Sequence, residues 1–529
     1  MVSQSSRPVS DFSGAQGNFA GNVTDLVVGA ATRGPDHLAL IEPARDVRLT
    51  WSRLHASVEI EAARLRSAGV RDGDRVVIRL GHGVTFCIAV LGALRADAIA
   101  VPVGAHSTEY ELDAIVADAT PGVVIAADSD RAAGAVTTAR GVRALPPPAL
   151  DGPLPDAAPV RRGGEDIAVL GYTSGSTGTP RGVRLSHRAL LANRAQTGLL
   201  RPVPVSPADR VLLQLPLFHI YGLGAGLLQV CWAAATGVLV DRVAPLELVE
   251  LVEAERITVL AGVPSTYRTL LELPAAQLRE RLVSVRLCVA GGAPLPPELP
   301  GAFEAATGLP LFNGYGLTET APVLTSTIVT GSTSPGSVGR PLPGGRGVPG
   351  VELRLAGLTD DDVDEFADLD DLDNETEDDT GLVEVRGPNL FSGYWPDGAD
   401  GPDPDGWFRT SDVGFLDVNG DLHLVDRATD LVIVNGFNVY PHEVEQVLAA
   451  HPSVQEAAVV GVTDERTGEA VKAVLVLRPG AELTPEQVRE HCSIRLARFK
   501  LPTVIEFVDS LPRSATGKIA RMQLRRGVA

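Results

Sequence analysis

Twelve residues, Gly171–Gly182 (GYTSGSTGTPRG), combine four glycines with five Ser or Thr hydroxyls directly after the apolar run Ile167–Leu170. Glycines allow close backbone approach and expose N–H groups, and the hydroxyls add donors, so such a loop suits phosphate oxygens. It is not the GxxxxGK[ST] box. Nor is Thr516-Gly517-Lys518, which lacks the glycine five residues before Gly517. Lys472, Lys500 and Lys518 are the only lysines, the other 43 basic residues being arginines. A compact ammonium on a flexible stem does work that a planar guanidinium cannot, which draws attention to the C-terminal region. Cys87, Cys231, Cys288 and Cys492 stand far apart, with no CxxC pair. They are expected to be buried thiols in a reducing cytosol, neither nucleophiles nor metal ligands. No GxSxG elbow is present.

These residues need a scaffold, and the hydrophobic pattern describes one. Short runs rich in β-branched residues (Arg75–Leu80, Ala98–Val103, Val123–Ala126, Ile167–Tyr172, Val211–Leu215, Ile257–Ala261, Arg286–Ala290) alternate with amphipathic stretches such as Thr50–Ala68 and Leu246–Ala254. Such alternation predicts an α/β fold with largely parallel sheets. After about Thr380 the texture changes to short strands, Leu382–Arg386, Trp407–Phe408, Gly414–Asp417 and Leu422–Val425. From about Arg427 a small α+β unit follows, with helices over Pro441–Ala450 and Thr484–Arg498. The predicted organisation is a large N-terminal α/β domain with a β-rich subdomain, residues 1–425, and a small C-terminal α+β domain, residues 426–529.

The chain has 529 residues and a net charge of −20, which disfavours nucleic-acid or anionic-lipid binding through the overall field. Thirteen acidic residues crowd into Asp360–Asp379, and the rest of the chain carries only −7. That run is expected to be a solvated excursion. Residues Met1–Gly21 lack the apolar core of a secretory signal. The longest apolar stretch, Gly222–Val240, contains four glycines and Gln229, and is expected to be a buried helix running into a strand. A cytoplasmic protein without a membrane span is the resulting expectation.

The order of further motifs extends the reading. Thr173–Gly178 with Pro180 and Gly182 is followed by Pro216–Gly222 (PLFHIYG), Gly291–Leu295 (GGAPL), Asn313–Thr320 (NGYGLTET) and Gly406–Gly414 (GWFRTSDVG). Asp426–Glu443 and Leu511–Arg521 (LPRSATGKIAR) complete the set. This succession, from about Leu26 to Arg525, resembles the AMP-forming adenylating superfamily of acyl-CoA synthetases, adenylation domains and luciferases, most of all bacterial fatty-acyl-CoA ligases.

The resemblance implies ATP, Mg2+ and CoA as cofactors and substrates, and assigns roles. Thr173, Ser174, Gly175, Ser176, Thr177 and Gly178, with Arg181, would wrap the phosphates. Gly291, Gly292 and Ala293 would line the adenine, and Asn313, Tyr315, Gly316 and Thr318 would complete the nucleotide site, Tyr315 by stacking. Glu319, with Thr173, would hold Mg2+ through oxygen. Asp412 would accept from the ribose hydroxyls, and Arg427 would reach the ribose or phosphate. His219, Gly222 and Gly316 would border the acyl pocket, His219 as lining rather than proton carrier. Lys518 would stabilise the charge gathering between carboxylate and α-phosphate. In the family the small domain rotates between half-reactions; here it would then bring up Val434–Tyr440, with Gly436 passing the pantetheine arm.

Three departures stand out. Arg181 occupies a position where the family more often has lysine, Thr429 a hinge position usually charged, and the acidic run replaces a short loop. The expected substrate is a medium- or long-chain fatty acid. An aryl-CoA ligase, and a fatty-acyl-AMP ligase or adenylation enzyme loading an acyl carrier protein, remain the alternatives, with monomer and homodimer both open.

Overall fold

The computed structural model describes residues 19–156, 158–173, 180–241, 243–331, 335–345, 347–357, 380–427, 432–434, 437–439, 441–464, 468–496, 500–513 and 519–525. The fold is α/β, and it packs as two compact units, Met1–Glu352 with Arg386–Phe408, and Leu353–Val385 with Arg409–Ala529.

The first unit is built on two sheets. In one, Leu38–Glu42, Thr236–Leu239, Arg210–Leu213, Val259–Gly262, Leu287–Gly291 and Leu311–Tyr315 lie side by side, all parallel. Antiparallel strands Val47–Thr50 and Thr325–Ser326 flank them. In the other, Arg143–Leu145, Val123–Ala126, Arg75–Arg79, Ile99–Pro102 and Ile167–Thr173 run parallel, and Arg181–Ser186 closes the edge antiparallel. The strands expected in this region all form, with ends displaced by no more than two residues.

Parallel strands bury both faces, and helices supply the cover. Helices Pro245–Ala254, Pro264–Leu270, Ala275–Arg281 and Leu299–Thr307 contribute to a core with Leu212, Leu260, Cys288 and Leu311. Tyr267, fully buried there, meets Phe303 edge-on at 5.1 Å. Its hydroxyl sits 2.8 Å from the Leu260 carbonyl and 2.9 Å from that of Val289, between two adjacent strands. The apolar Gly222–Val240 region folds as expected, a wide helical turn Tyr221–Leu228 continuing through Gln229–Ala233 into strand Thr236–Leu239. Among the described residues no helix is long and apolar enough to cross a membrane.

At the amino edge of the first sheet, two residues that directly precede parallel strands, Thr258 and Arg286, are tied to the carboxylate of a third, Asp209. Asp209 accepts from Arg286 Nε at 2.7 Å and Nη2 at 2.6 Å, and from Thr258 Oγ1 at 2.7 Å. Burial alone would raise its pKa, but these donors and Ser206 overcome that and hold it at about 2. A depressed folded-state pKa gives stability that is present above the ordinary carboxylate range and is lost as pH falls toward 2. Asp209→Asn is therefore expected to cost about 2 kcal/mol at neutral pH and almost nothing near pH 2. Urea unfolding of both proteins at several pH values measures this; a gap independent of pH contradicts it.

The second unit carries strands Glu352–Ala356, Thr380–Arg386, Trp407–Leu416 and Leu422–Arg427 in neighbouring order. A second sheet orders Phe437–Val439, Val432–Val434, Gly468–Leu477 and Val454–Asp464, with Val504–Phe507 parallel to Gly468–Leu477. Helices Pro441–Ala449 and Pro485–Ser493 pack on it through Val444, Leu448, Val488 and Cys492.

Two expectations need correction here. Trp407–Phe408 and Gly414–Leu416 of the expected Gly414–Asp417 belong to one ten-residue strand, Trp407–Leu416, whose polar middle hides its continuity and whose pairing shifts between Val413 and Gly414. The helix expected over Thr484–Arg498 has Thr484 as its cap and stops at Ser493, where Ile494 turns outward at 74% exposure. Lys472, of a residue type seldom buried unless paired, is buried in this unit. It is 6% exposed and donates to the Leu524 carbonyl at 2.9 Å, beside Glu506 at 2.7 Å.

Candidate active site

In an open α/β sheet, ligand contacts gather at the carboxyl ends of the strands. The register levels these ends, pairing Gly262 with Ala290 and Gly291 with Gly314. Just beyond, Gly292 has φ +77°, a left-handed conformation that glycine adopts without strain. Gly316 is held tightest, since a Cβ there would lie 1.7 Å from the Pro322 carbonyl oxygen. Tyr315 is only 8% exposed, so its ring is largely packed. The Asn313 side chain donates to the Ser337 carbonyl at 3.1 Å and accepts from the Gly314 N–H at 3.0 Å.

Tyr221 lies across these strand ends, and sequence reasoning did not single it out. A Cβ on Gly291 would be 3.1 Å from its hydroxyl, and one on Gly292 3.4 Å from its ring. His219 Nδ1 accepts the Tyr221 N–H at 3.2 Å, so this histidine orients the start of the helix. Gly222 lets that turn fold back, because a Cβ would sit 2.3 Å from the Pro216 carbonyl. Gly224 leaves room for Pro322, whose Cδ lies 2.7 Å from its Cβ position.

The Ser/Thr/Gly loop joins two antiparallel strands, Ile167–Thr173 and Arg181–Ser186, with Thr173 paired to Arg181 at its base. Ser174, Gly175, Ser176, Thr177 and Gly178 lie outside the described residues. Ser186 caps the following helix, accepting the Ala189 N–H at 3.1 Å. Gly171 lets Thr318 approach, its Cβ position being 2.9 Å from Thr318 Cγ2. Glu319, on the short Thr318–Thr320 turn, accepts from the Tyr394 hydroxyl at 2.7 Å. Arg181 lies over the Tyr394 ring, 3.7 Å from its centroid, and pairs with Asp400 at 2.5 Å. Burial and then the neighbouring Glu319 carboxylate push the Tyr394 phenol up, so it stays a donor at working pH. The stretch Asn389–Trp395 is knitted to both partners. Phe391 N–H donates to the Glu319 carbonyl at 2.9 Å, and Trp395 N–H to the Gly182 carbonyl at 2.7 Å. Tyr394 thus joins the hairpin to the acidic turn, and only its position in the Gly393-Tyr394-Trp395 run hinted at it.

In the second unit, Asp412 stands directly opposite Arg427 across an antiparallel pair, and is 5% exposed. Gly436 and Lys518 lie outside the described residues, as do Thr429 and the acidic run. The chain on either side of Lys518 is joined, Arg513 bridging to Ile519 and the Ala520 N–H donating to the Pro512 carbonyl at 2.8 Å.

All four cysteines are free and buried, and burial pushes Cys231 and Cys288 to about 12 and Cys492 to about 11. None is poised as a nucleophile at neutral pH. Among the described residues no group of three or more His, Cys, Asp or Glu could hold a metal by itself.

A glycine-lined carboxyl edge, the base of a hydroxyl-rich loop and one anchored carboxylate thus lie together in the first unit of an α/β fold. The AMP-binding enzyme model matches residues 28–395, and the AMP-binding enzyme C-terminal domain model residues 443–518. The chain is 31% identical to a long-chain-fatty-acid–CoA ligase of Bacillus subtilis, over 94% of this chain and 93% of the relative. It is 33% identical to a feruloyl-CoA synthase of an Amycolatopsis species, over 90% and 94% respectively. Its fold matches ATP-bound MatB from Rhodopseudomonas palustris with a TM-score of 0.84 and 32% identity, covering 96% of this chain and 99% of that one. The chain belongs to the AMP-binding enzymes and is an AMP-forming acid:CoA ligase. ATP, CoA and a small carboxylic acid as substrates fit this family.

Proposed function

We propose that the protein activates a medium- or long-chain fatty acid with ATP and passes the acyl group to CoA. The observation that carries this reading is Glu319, anchored by Tyr394 at the carboxyl edge beside the phosphate-loop hairpin. In the first step a carboxylate oxygen attacks the α-phosphorus, the bond to the β-phosphate breaks, and acyl-AMP and pyrophosphate form. In the second the thiol of CoA attacks the acyl carbon, giving the thioester, AMP and a proton.

Within that scheme Thr173–Gly178 and Arg181 hold the phosphates. Gly291, Gly292 and Ala293 border the adenine, with Asn313, Tyr315, Gly316 and Thr318 beside it. Asp412 and Arg427 take the ribose, their opposed register supporting a joint role. His219, Gly222 and Gly316 border the acid. Mg2+ is commonly held by one or two carboxylates plus substrate phosphates, so the single Glu319, with Thr173, fits it. When bound, the ion would neutralise charge on the departing phosphates. Lys518 bridges carboxylate and phosphate. Residues 426–529 act as the domain that turns between steps, and Gly436 then admits the pantetheine arm.

Arg181 in place of lysine is compatible with this site, because its guanidinium steadies the Tyr394 ring that anchors Glu319. Tyr394→Phe removes that anchor. It is expected to raise the Mg2+ concentration needed for half-maximal pyrophosphate release by about 10-fold, as loss of a supporting hydrogen bond does at metal sites. An unaltered Mg2+ dependence contradicts the assignment.

The substrate is tested with a panel of alkanoic and aromatic acids, ATP and Mg2+, with and without CoA, following AMP and thioester by mass. A CoA-dependent thioester with the highest kcat/KM among the alkanoic acids is expected. An optimum among cinnamates or benzoates replaces the fatty acid with an aryl acid, a class the feruloyl-CoA synthase relative supports. Adenylate accumulating despite CoA replaces CoA with a carrier protein as acceptor.

A further inference from the structure

Helix His187–Gly198 is buried from Ala189 through Thr197, and in its middle it carries a complete guanidinium. Arg194 is 0% exposed. Its partners are all neutral: Nη1 donates to Gln229 Oε1 at 2.9 Å, and Nη2 to the Ala321 carbonyl at 3.3 Å and to Asn193 Oδ1. No carboxylate compensates it among the described residues, and burial alone lowers its pKa to about 9. Two donors here lack acceptors, Arg194 Nε and Gln229 Nε2, the latter on a residue 2% exposed. Burying a charge without a counter-charge is among the more costly arrangements in a protein, and an orphaned donor adds to the cost. An acceptor that arrives with a ligand would satisfy both.

The surroundings say which ligand. Gln229 follows Ala225 by four residues and Tyr221 by eight, at the point where the wide i→i+5 turn passes into helix Gln229–Ala233, a spacing close to whole turns that keeps the three toward one side. Tyr221 is the end of that side at Gly291 and Gly292, and Ala225 is half-buried among buried neighbours. Eight residues of helix span at most about 12 Å, the reach of a medium-length acyl chain. The opposite border belongs to the segment after Glu319. The Ala321 carbonyl accepts from Arg194, Pro322 packs on Gly224, and Val323 exchanges hydrogen bonds with Asn193 at 2.7 and 3.2 Å.

We propose that Arg194 and Gln229 form a polar subsite at the far end of the acyl pocket, selecting acids whose distal end carries a hydrogen-bond acceptor, an oxo group or a second carboxylate. This rests on the ligase reading above and refines its substrate from a plain alkyl chain to a polar-ended one. A purely hydrocarbon tail would reach this point and leave both donors unsatisfied, whereas an oxygen there receives them. The selection follows from that difference, because a site built to hydrogen-bond rejects the analogue lacking the partner atom.

Octanoic, 7-oxooctanoic and octanedioic acids, matched in chain length, test it through kcat/KM for pyrophosphate release. Wild type is expected to favour one polar-ended acid over octanoic acid by at least about 10-fold. Preference for the oxo acid identifies a neutral acceptor, and preference for the diacid an anionic one. Arg194→Met should bring the ratio to within about threefold of one, and Gln229→Leu should lower it in the same direction. If Arg194→Met does not fold, the wild-type ratio and Gln229→Leu decide alone. Octanoic acid as the best of the three in wild type, or variants that lower all three acids by one common factor, overturns the subsite. Absence of pyrophosphate release with every acid tried, long-chain and aromatic ones included, instead removes the ligase reading, and the subsite with it.

Discussion

Lys518→Ala is expected to slow acid-dependent pyrophosphate release by about 100- to 1,000-fold, the usual consequence of losing one preorganised electrostatic group. The physical demand is clear in the reaction itself. An anionic carboxylate must approach an anionic phosphate, and the chain offers neither a GxSxG elbow nor, with its four cysteines buried, an exposed thiol to divide the step. Charge stabilisation and alignment therefore carry most of the barrier lowering. A lysine meets the need because its ammonium can touch both groups from a flexible stem, and only three lysines are kept in a chain otherwise stocked with arginine. The same variant supplied with synthetic acyl-AMP and CoA should form thioester at a rate within a few-fold of wild type. Equal loss in both half-reactions contradicts a role confined to adenylation, and no loss in either contradicts the role altogether.

Gly316→Ala is the second large effect. The new methyl would stand 1.7 Å from the Pro322 oxygen, 2.8 Å from the Pro322 carbonyl carbon and 3.1 Å from Leu324 N, all of them backbone atoms. No side-chain rotation relieves that contact, so the strand end must separate from the segment that follows Glu319. The Tyr315 carbonyl accepts the Leu324 N–H at 2.8 Å, and this bond is the first to suffer. A loss of roughly 1–3 kcal/mol in stability is expected from overpacking. Activity should fall further, by about 100-fold, because Thr318 and Glu319 move with the turn and a displacement near 1 Å costs that much in positioning. Gly314→Ala is the matched control, since its Cβ meets only the Thr325 carbonyl oxygen at an ordinary 3.4 Å. Thermal unfolding and pyrophosphate release of both variants separate the outcomes. Equal behaviour of the two contradicts the tight-turn account.

How far the sequence spoke depended on the kind of information each feature stores. Period and length located the parallel strands, because residues buried on both faces leave continuous runs such as Val123–Ala126. The apolar Gly222–Val240 region read correctly as a helix entering a strand, since glycine spacing marks close packing rather than a lipid face. Where polarity and structure disagree, the reading failed. Strand Trp407–Leu416 looked like two pieces because its middle is Arg409-Thr410-Ser411-Asp412. Glycine-rich composition likewise does not reveal that Thr173 and Arg181 pair across the base of the Ser/Thr/Gly loop.

Residue types named much of the candidate site, but the supporting contacts were not legible. Tyr394 is 75 residues from Glu319, and nothing in either neighbourhood announces their hydrogen bond. Nothing beside Lys472 in the sequence announces the Leu524 carbonyl and the Glu506 carboxylate that surround it. Arg194 sits in a helix, His187–Gly198, whose polar residues follow no single face, and only full burial without a counter-charge exposes its interest. The net charge of −20 was the least informative property of all, because the acidic run supplies thirteen of its carboxylates.

The central claim is that a carboxylate oxygen attacks the α-phosphorus of ATP. It is tested most directly by running the reaction with an acid labelled with oxygen-18 in its carboxyl group, in the presence of ATP, Mg2+ and CoA, and weighing the products. One labelled oxygen should appear in each AMP formed, with none in pyrophosphate. Label recovered in inorganic phosphate with ADP as the nucleotide product, or AMP formed without label, contradicts it.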